Sequence, residues 1–115
     1  MSNADSTRHL TPHSDDEALL RRLVGGDADA EYRVRAAVAD SRSVRVLVAG
    51  AVLTEAVEPL DRAADLATTT RDRQLVALAK AQLEAPAELF DALVRDHLAS
   101  YPDQLLAAWM AARQH

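Results

Sequence analysis

Apolar residues recur along the chain at the three- and four-residue spacing of helices, and short polar breaks separate the apolar stretches. Gly25-Gly26 ends the first stretch, and Tyr101-Pro102 precedes the last one. Because each break is only a few residues long, consecutive helices must pack antiparallel. The pattern therefore predicts an all-α domain of six or seven short antiparallel helices, arranged either as an array of helical hairpins or as a small bundle. The clearest apolar face comprises Leu89, Phe90, Leu93, Val94 and Leu98.

One segment of the chain fits two kinds of secondary structure. Residues Val44 to Leu53 are almost continuously apolar and rich in valine, which suits a buried strand. A strand needs a partner, however, and the sequence contains no second run of β-branched residues to supply one. We therefore predict a buried central helix over this segment, with a strand as the alternative.

Local signals set the boundaries of the domain and of its helices. Residues 1–13 are polar and lack periodicity, so we expect a disordered tail, and residues 14–115 then form a single helical domain. Ser14 and Glu17 form a capping box that predicts the start of the first helix. Asp27 is placed to cap the second helix. Further breaks or helix starts are predicted at Pro59, Thr69 and Pro86.

Composition narrows the class of protein. The 115 residues are 49% hydrophobic and 27% charged, which predicts one globular domain with a modest core. The formal charge is −5 and neither half of the chain is net basic, so nucleic acid and anionic membranes are unfavourable main partners. The absence of cysteine excludes disulfides and thiol chemistry. Because the first ten residues are polar and the longest apolar run, Val46 to Leu53, is short for a bilayer, we expect a cytoplasmic protein.

The second helix of the last predicted hairpin has a repeat-like ending. Apolar residues stand at Phe90, Val94 and Leu98, and Pro102 follows at the same interval of four. This spacing, with its closing proline, resembles the second helix of a tetratricopeptide repeat.

A longer stretch around this helix carries a more particular resemblance. From Thr70-Arg71-Asp72 to Leu105-Leu106-Ala107, the chain resembles a segment of the tetratricopeptide repeat protein thirty-eight family, most strongly over residues 70–107. The usual Gly-Asp between the paired helices is replaced here by Glu84-Ala85-Pro86, and the family proteins are several times longer. The resemblance implies a helical scaffold and no established chemistry, so we assign no cofactor.

The last predicted helix carries the first candidate site. It contains the only tryptophan of the chain, Trp109, and an odd helix at the end of a hairpin array leaves one flank uncovered. Trp109 either packs onto its own core or forms an exposed patch that dimerises or receives a partner. The leading prediction is a non-catalytic protein–protein interaction domain, a homodimer in its simplest form. The predicted interface comprises Leu105, Leu106, Trp109 and Met110.

A second candidate function centres on His97. This residue lies beside the apolar face of its helix, near Asp91 and Asp96, and a pocket there would make the protein a bundle that binds a small molecule or a metal, with an enzyme as one form of it. No nucleophile in a recognisable frame and no metal or phosphate motif accompanies it, so no catalytic residue and no metal ligand is assigned. His9 and His13 have the spacing of a metal-binding pair but lack a third ligand nearby.

A local cluster of arginines is the third candidate. It is relieved only by Asp40, and it is a possible anion site for an acidic partner or for RNA. Tyr32 is the only aromatic residue nearby, and base stacking usually needs more than one, so a nucleic-acid regulator is the weaker alternative. The cluster comprises Arg33, Arg35, Arg42 and Arg45.

Overall fold

The computed structural model describes residues 12–114, with side chains from 15 to 113. Over this range it contains seven helices and no strand, which confirms the predicted all-α class. The helices are α1 Pro12–Val24, α2 Ala28–Ala37, α3 Val44–Thr54, α4 Glu58–Leu66, α5 Thr70–Glu84, α6 Ala87–Ser100 and α7 Leu105–Gln114.

The ambiguous valine-rich segment is helix α3. The Ser43 hydroxyl accepts a hydrogen bond from the backbone N–H of Val46 at the start of the helix. Glu55, in the left-handed conformation with φ 54°, ends it. All residues from Val46 to Leu53 are buried, and α3 contacts α1, α2, α4, α5 and α7. Because neighbours cover α3 on all sides, its continuous apolarity reflects burial rather than strand pairing.

The other local signals have mixed outcomes. Asp27 caps α2 as predicted, and the Thr69 hydroxyl accepts from the backbone N–H of Asp72 at the start of α5. The predicted capping box at Ser14 is wrong, because α1 begins at Pro12 and Ser14 lies inside its first turn. Most of the predicted tail lies outside the described residues, and its last two residues belong to α1. Pro86 directly precedes α6 instead of lying in its first turn.

One hydrophobic core runs through all seven helices. The helix α7 contacts α1, α3 and α5 as well as its neighbour α6, so the first and last helices of the described chain meet. In an open array each repeat contacts only the next one, and the end helix keeps a free flank. The contacts of α7 close the described helices into a bundle and cover that flank. The largest fully buried side chains include Phe90, Leu47, Leu60, Leu75, Leu78 and Met110.

The close approach of α2 and α3 depends on Gly50. A Cβ atom added at Gly50 would lie 2.6 Å from Cγ2 and 2.9 Å from Cβ of Val38, the residue at the end of α2. These distances are shorter than any ordinary carbon contact, so the absence of a side chain sets the spacing of the two helices.

We expect the substitution Gly50→Ala to destabilise the fold. The clash with Val38 should lower the free energy of unfolding by about 1–2 kcal/mol, even though alanine is the better helix former. Urea denaturation followed by circular dichroism measures the change. Gly25→Ala is the matched control, since its Cβ would meet the Arg21 carbonyl oxygen at an acceptable 3.4 Å. Recovery of stability in Gly50→Ala/Val38→Ala would identify the contact, and a Gly50→Ala protein as stable as the wild type would contradict it.

Candidate functional site

A groove runs along α1, between that helix and the first residues of α3, α5 and α7. It consists of two adjoining cavities of about 420 and 330 Å³, which share Glu17, Leu20 and Arg45 as lining residues. We call this groove the α1 cleft. Five helices contribute lining residues, including α1 and α7 at the two ends of the described chain, so the closure of the bundle creates the cleft. Its lining includes Arg42, Arg45, Arg71, Gln104 and Leu105, and the carboxylates Asp16, Glu17, Asp72 and Asp103.

Two long ion pairs hold two of the arginines of the α1 cleft. Arg45 Nη1 lies 3.6 Å from Glu17 Oε2, and Arg71 Nη2 lies 3.4 Å from Asp103 Oδ1. Well-formed charge-assisted hydrogen bonds are about 2.7–2.9 Å long, so both pairs are loose. The Arg71 guanidinium also stands 5.4 Å from the centre of the Tyr101 ring, in a cation–π contact. An incoming acceptor can therefore replace the acidic partners of these arginines at little cost.

Gln104 is the buried polar residue of the α1 cleft. It is only 3% exposed, and its amide nitrogen Nε2 has no hydrogen-bond partner among the described residues. Arg71 Nε is likewise buried without a partner in the described part of the chain. Both atoms are donors, and a buried donor without an acceptor costs about 1–3 kcal/mol. An oxygen acceptor on a ligand would supply the partner that both donors lack among the described residues.

The predicted interface on the last helix is mostly buried, which corrects the expectation of an exposed patch. Leu106 and Met110 lie in the core and Trp109 is only 9% exposed, because α7 packs against four other helices. The Arg113 guanidinium covers the Trp109 ring, 5.1 Å from its centre. Leu105 alone of the four remains open, at 47% exposure, and it lines the α1 cleft.

The predicted arginine cluster is divided between two places. Arg33 pairs with Asp29 at 2.9 Å and Arg35 pairs with Glu31 at 3.2 Å, both on the exposed surface of α2. These acidic partners stand one helical turn earlier in the sequence, a spacing that would have identified the pairs beforehand. The other two arginines, Arg42 and Arg45, line the α1 cleft. The structure therefore brings half of the predicted anion site together with Leu105 of the predicted interface.

A cavity of about 310 Å³ lies beside His97, between α5 and α6. His97 is 2% exposed, and its Nδ1 atom lies 2.9 Å from Gln74 Oε1. Because a carbonyl oxygen only accepts, Nδ1 carries the proton and Nε2 has a free lone pair. Nε2 is buried and has no partner among the residues that the structure describes. Burial, and next the positive charge of Arg71, lower the pKa of His97 below its ordinary value, so the ring is neutral at pH 7.

The sequence did not predict the contacts between helices in the α1 cleft or at the His97 cavity. Gln74 and His97 are 23 residues apart, and no local sequence pattern predicts their hydrogen bond.

Within the described part of the chain, no group of three or more His, Asp or Glu residues is placed to hold a metal ion. The pair His9 and His13 lies outside the residues whose side chains are described. None of the helices between residues 12 and 114 has the length and apolarity needed to cross a membrane.

Comparison with known proteins identified no relative of this chain. No protein-family model, curated protein or solved structure matches the chain. The likeness to tetratricopeptide repeats therefore stays an expectation from the motifs. The α1 cleft and the His97 cavity are the two candidate sites of the described structure.

We expect Trp109→Ala to destabilise the protein without changing its state of association. Removing a buried indole should lower the free energy of unfolding by about 3–5 kcal/mol. Urea denaturation by circular dichroism and light scattering measure the two quantities. Leu105→Ala is the control for stability, because its side chain is half exposed. An unchanged stability together with a lost dimer would show that Trp109 is an interface residue after all.

The lowered pKa of His97 predicts a dependence of stability on pH. Between the folded-state pKa and the ordinary value of 6.5, the unfolded chain binds a proton that the folded chain does not. The contribution is therefore complete above pH 6.5 and is lost as the pH falls through this window. Denaturation at pH 7.5, 6.5 and 5.5 should show wild type losing stability relative to His97→Gln. The histidines common to both proteins cancel in this difference, and a constant difference would contradict the prediction.

Proposed function

We propose that this domain is a non-catalytic protein-interaction module whose α1 cleft binds a short segment of a partner protein. The observation that carries the proposal is one juxtaposition. The cleft places the exposed side chain of Leu105 beside the buried, unpartnered amide of Gln104 and the loosely paired Arg45 and Arg71. We assign no catalytic role to any residue of the cleft. The proposal locates the binding in the cytoplasm, as the sequence leads us to expect.

The polar groups of the α1 cleft define the backbone and charge of the segment. A peptide carbonyl oxygen would accept from Gln104 Nε2, which has no acceptor of its own among the described residues. A carboxylate of the segment would replace Glu17 on Arg45 or Asp103 on Arg71, because both pairs are longer than 3.3 Å. Little is lost in this exchange, since exposed ion pairs contribute about 0–1 kcal/mol.

The apolar groups define the rest of the segment. Leu105 and Leu20 line the α1 cleft, and an apolar side chain placed between them would bury surface that Leu105 now exposes to water. The net charge of the chain is −5, and this charge repels a strongly acidic partner at long range. We therefore commit to a segment with one apolar side chain flanked by one or two carboxylates, rather than a polyacidic tract.

The sequence also predicts two other partners, which are a second copy of the chain and, as the weaker alternative, nucleic acid. Of the predicted dimer interface only Leu105, in the α1 cleft, is open to a second copy, because Leu106, Trp109 and Met110 are buried within the chain. A second copy is therefore one outcome of the test below. Binding of nucleic acid is not proposed, since Arg33 and Arg35 already pair with acidic residues on α2. The resemblance to tetratricopeptide repeats agrees with a scaffold function.

A random-peptide display selection on the folded protein tests the proposal, with counter-selection on Leu105→Ser/Arg45→Glu. We expect enriched peptides that combine an apolar residue with Asp or Glu. By fluorescence anisotropy each single substitution should weaken their binding roughly tenfold, the effect of a central interface residue. Arg33→Glu is the matched charge control, because Arg33 lies on α2 away from the cleft, and it should bind like wild type.

Three results would overturn the proposal. One is a selection that enriches no peptide, and the second is a set of enriched peptides that bind the Leu105→Ser and Arg45→Glu proteins as tightly as wild type. A dimer seen by light scattering that dissociates in Leu105→Ser would replace the partner segment by a second copy of the chain.

A further inference from the structure

The cavity beside His97 is independent of the α1 cleft. It lies between α5 and α6, and it shares none of its described lining residues with the cleft. We call it the His97 pocket. It is lined by Gln74, Ala77, Leu78, Leu93, Asp96 and His97, together with Ser100. Its volume of about 310 Å³ is at the small end of the range found for ligand sites.

We infer that the His97 pocket binds a small protonated amine with an apolar body. The amine donates a hydrogen bond to Nε2 of His97, and its positive charge faces the carboxylate of Asp96. This site is separate from the proposed peptide-binding function, and either can fail without the other.

The Nε2 atom of His97 lacks a hydrogen-bond donor among the described residues. Gln74 Oε1 accepts the proton on Nδ1, which leaves Nε2 as an acceptor. The residue is 98% buried, and Nε2 has no donor within the described structure. A buried acceptor of this kind is unfavourable until a ligand supplies the missing hydrogen. The neutral form of the imidazole at pH 7 keeps the lone pair available.

The charge of the lining selects a cation. Asp96 is the only charged residue among the described residues that line the pocket. Arg71 acts on His97 through its charge, but it lies over Tyr101, pairs with Asp103 and does not line the pocket. Among the described residues that line the pocket, an anion would therefore meet a carboxylate and no opposite charge, whereas an ammonium group meets the opposite charge of Asp96.

The remaining walls fit an apolar body. Leu78 is buried at the pocket and Leu93 is half buried, while Ala77 is exposed at its edge. Contact with these side chains removes apolar surface of the ligand from water. A metal ion is a poorer occupant, because His97 is the only nitrogen ligand there and no group of three metal-binding side chains occurs in the described residues.

Titration of the whole protein with benzylamine, followed by two-dimensional NMR, tests the site. We expect saturable shifts of the amides of Gln74, Ala77 and His97, and a shift of the His97 Nε2 resonance while Nδ1 stays protonated. Benzyl alcohol, a neutral ligand of nearly the same shape, should bind roughly tenfold more weakly because it lacks the charge.

Two surface variants test the roles of charge and space without touching the core. Asp96→Asn should weaken benzylamine binding roughly tenfold and leave benzyl alcohol unchanged. Ala77→Leu should fill the pocket and remove both ligands. Glu88→Gln is the matched control, because Glu88 is an exposed acid on the same helix that does not line the pocket.

Several outcomes would overturn the inference. They are the absence of saturable shifts with benzylamine, equal binding of benzyl alcohol and benzylamine, and unchanged benzylamine binding in Asp96→Asn. A zinc titration that shifts Nε2 of His97 where benzylamine does not would assign the pocket to a metal instead.

Discussion

Five other helices surround α3, and this packing organises the molecule. All eight residues from Val46 to Leu53 are buried against these neighbours, and Gly50 lets the end of α2 approach without a side chain between them. The N-terminal residues of α3 remain at the edge of this packing, where Arg45 reaches the α1 cleft. The position of the cleft is therefore a consequence of how α3 is buried.

The last helix completes the bundle and decides which surface stays open. Trp109 and Met110 fill the core, and Gln82 Nε2 donates to the Met110 carbonyl oxygen at 3.1 Å. With α7 held in this orientation, its first residue Leu105 faces the α1 cleft and Gln104 is buried just before it. The residues that made this helix a candidate interface thus stabilise the fold, while its start contributes to the cleft.

The two candidate sites have opposite hydrogen-bonding requirements. In the α1 cleft the buried atoms without a described partner are donors, Gln104 Nε2 and Arg71 Nε, and in the His97 pocket the atom is an acceptor, His97 Nε2. The described lining of the cleft combines arginines with carboxylates, whereas Asp96 is the one charged residue in the described lining of the pocket. The proposed ligands of the two sites therefore differ in class, and the sites share no described lining residue.

The sequence by itself determined the features that depend on neighbouring residues. Helix periodicity, the break at Gly25-Gly26 and the caps at Asp27 and Thr69 act over three or four positions, so a linear pattern reveals them. Tertiary structure decided whether residues 44–54 form a helix, and it decided the burial of Trp109. It also made the bond between Gln74 and His97, which lie 23 residues apart. These outcomes depend on which helices meet, and contacts between distant segments leave no periodic trace in the sequence.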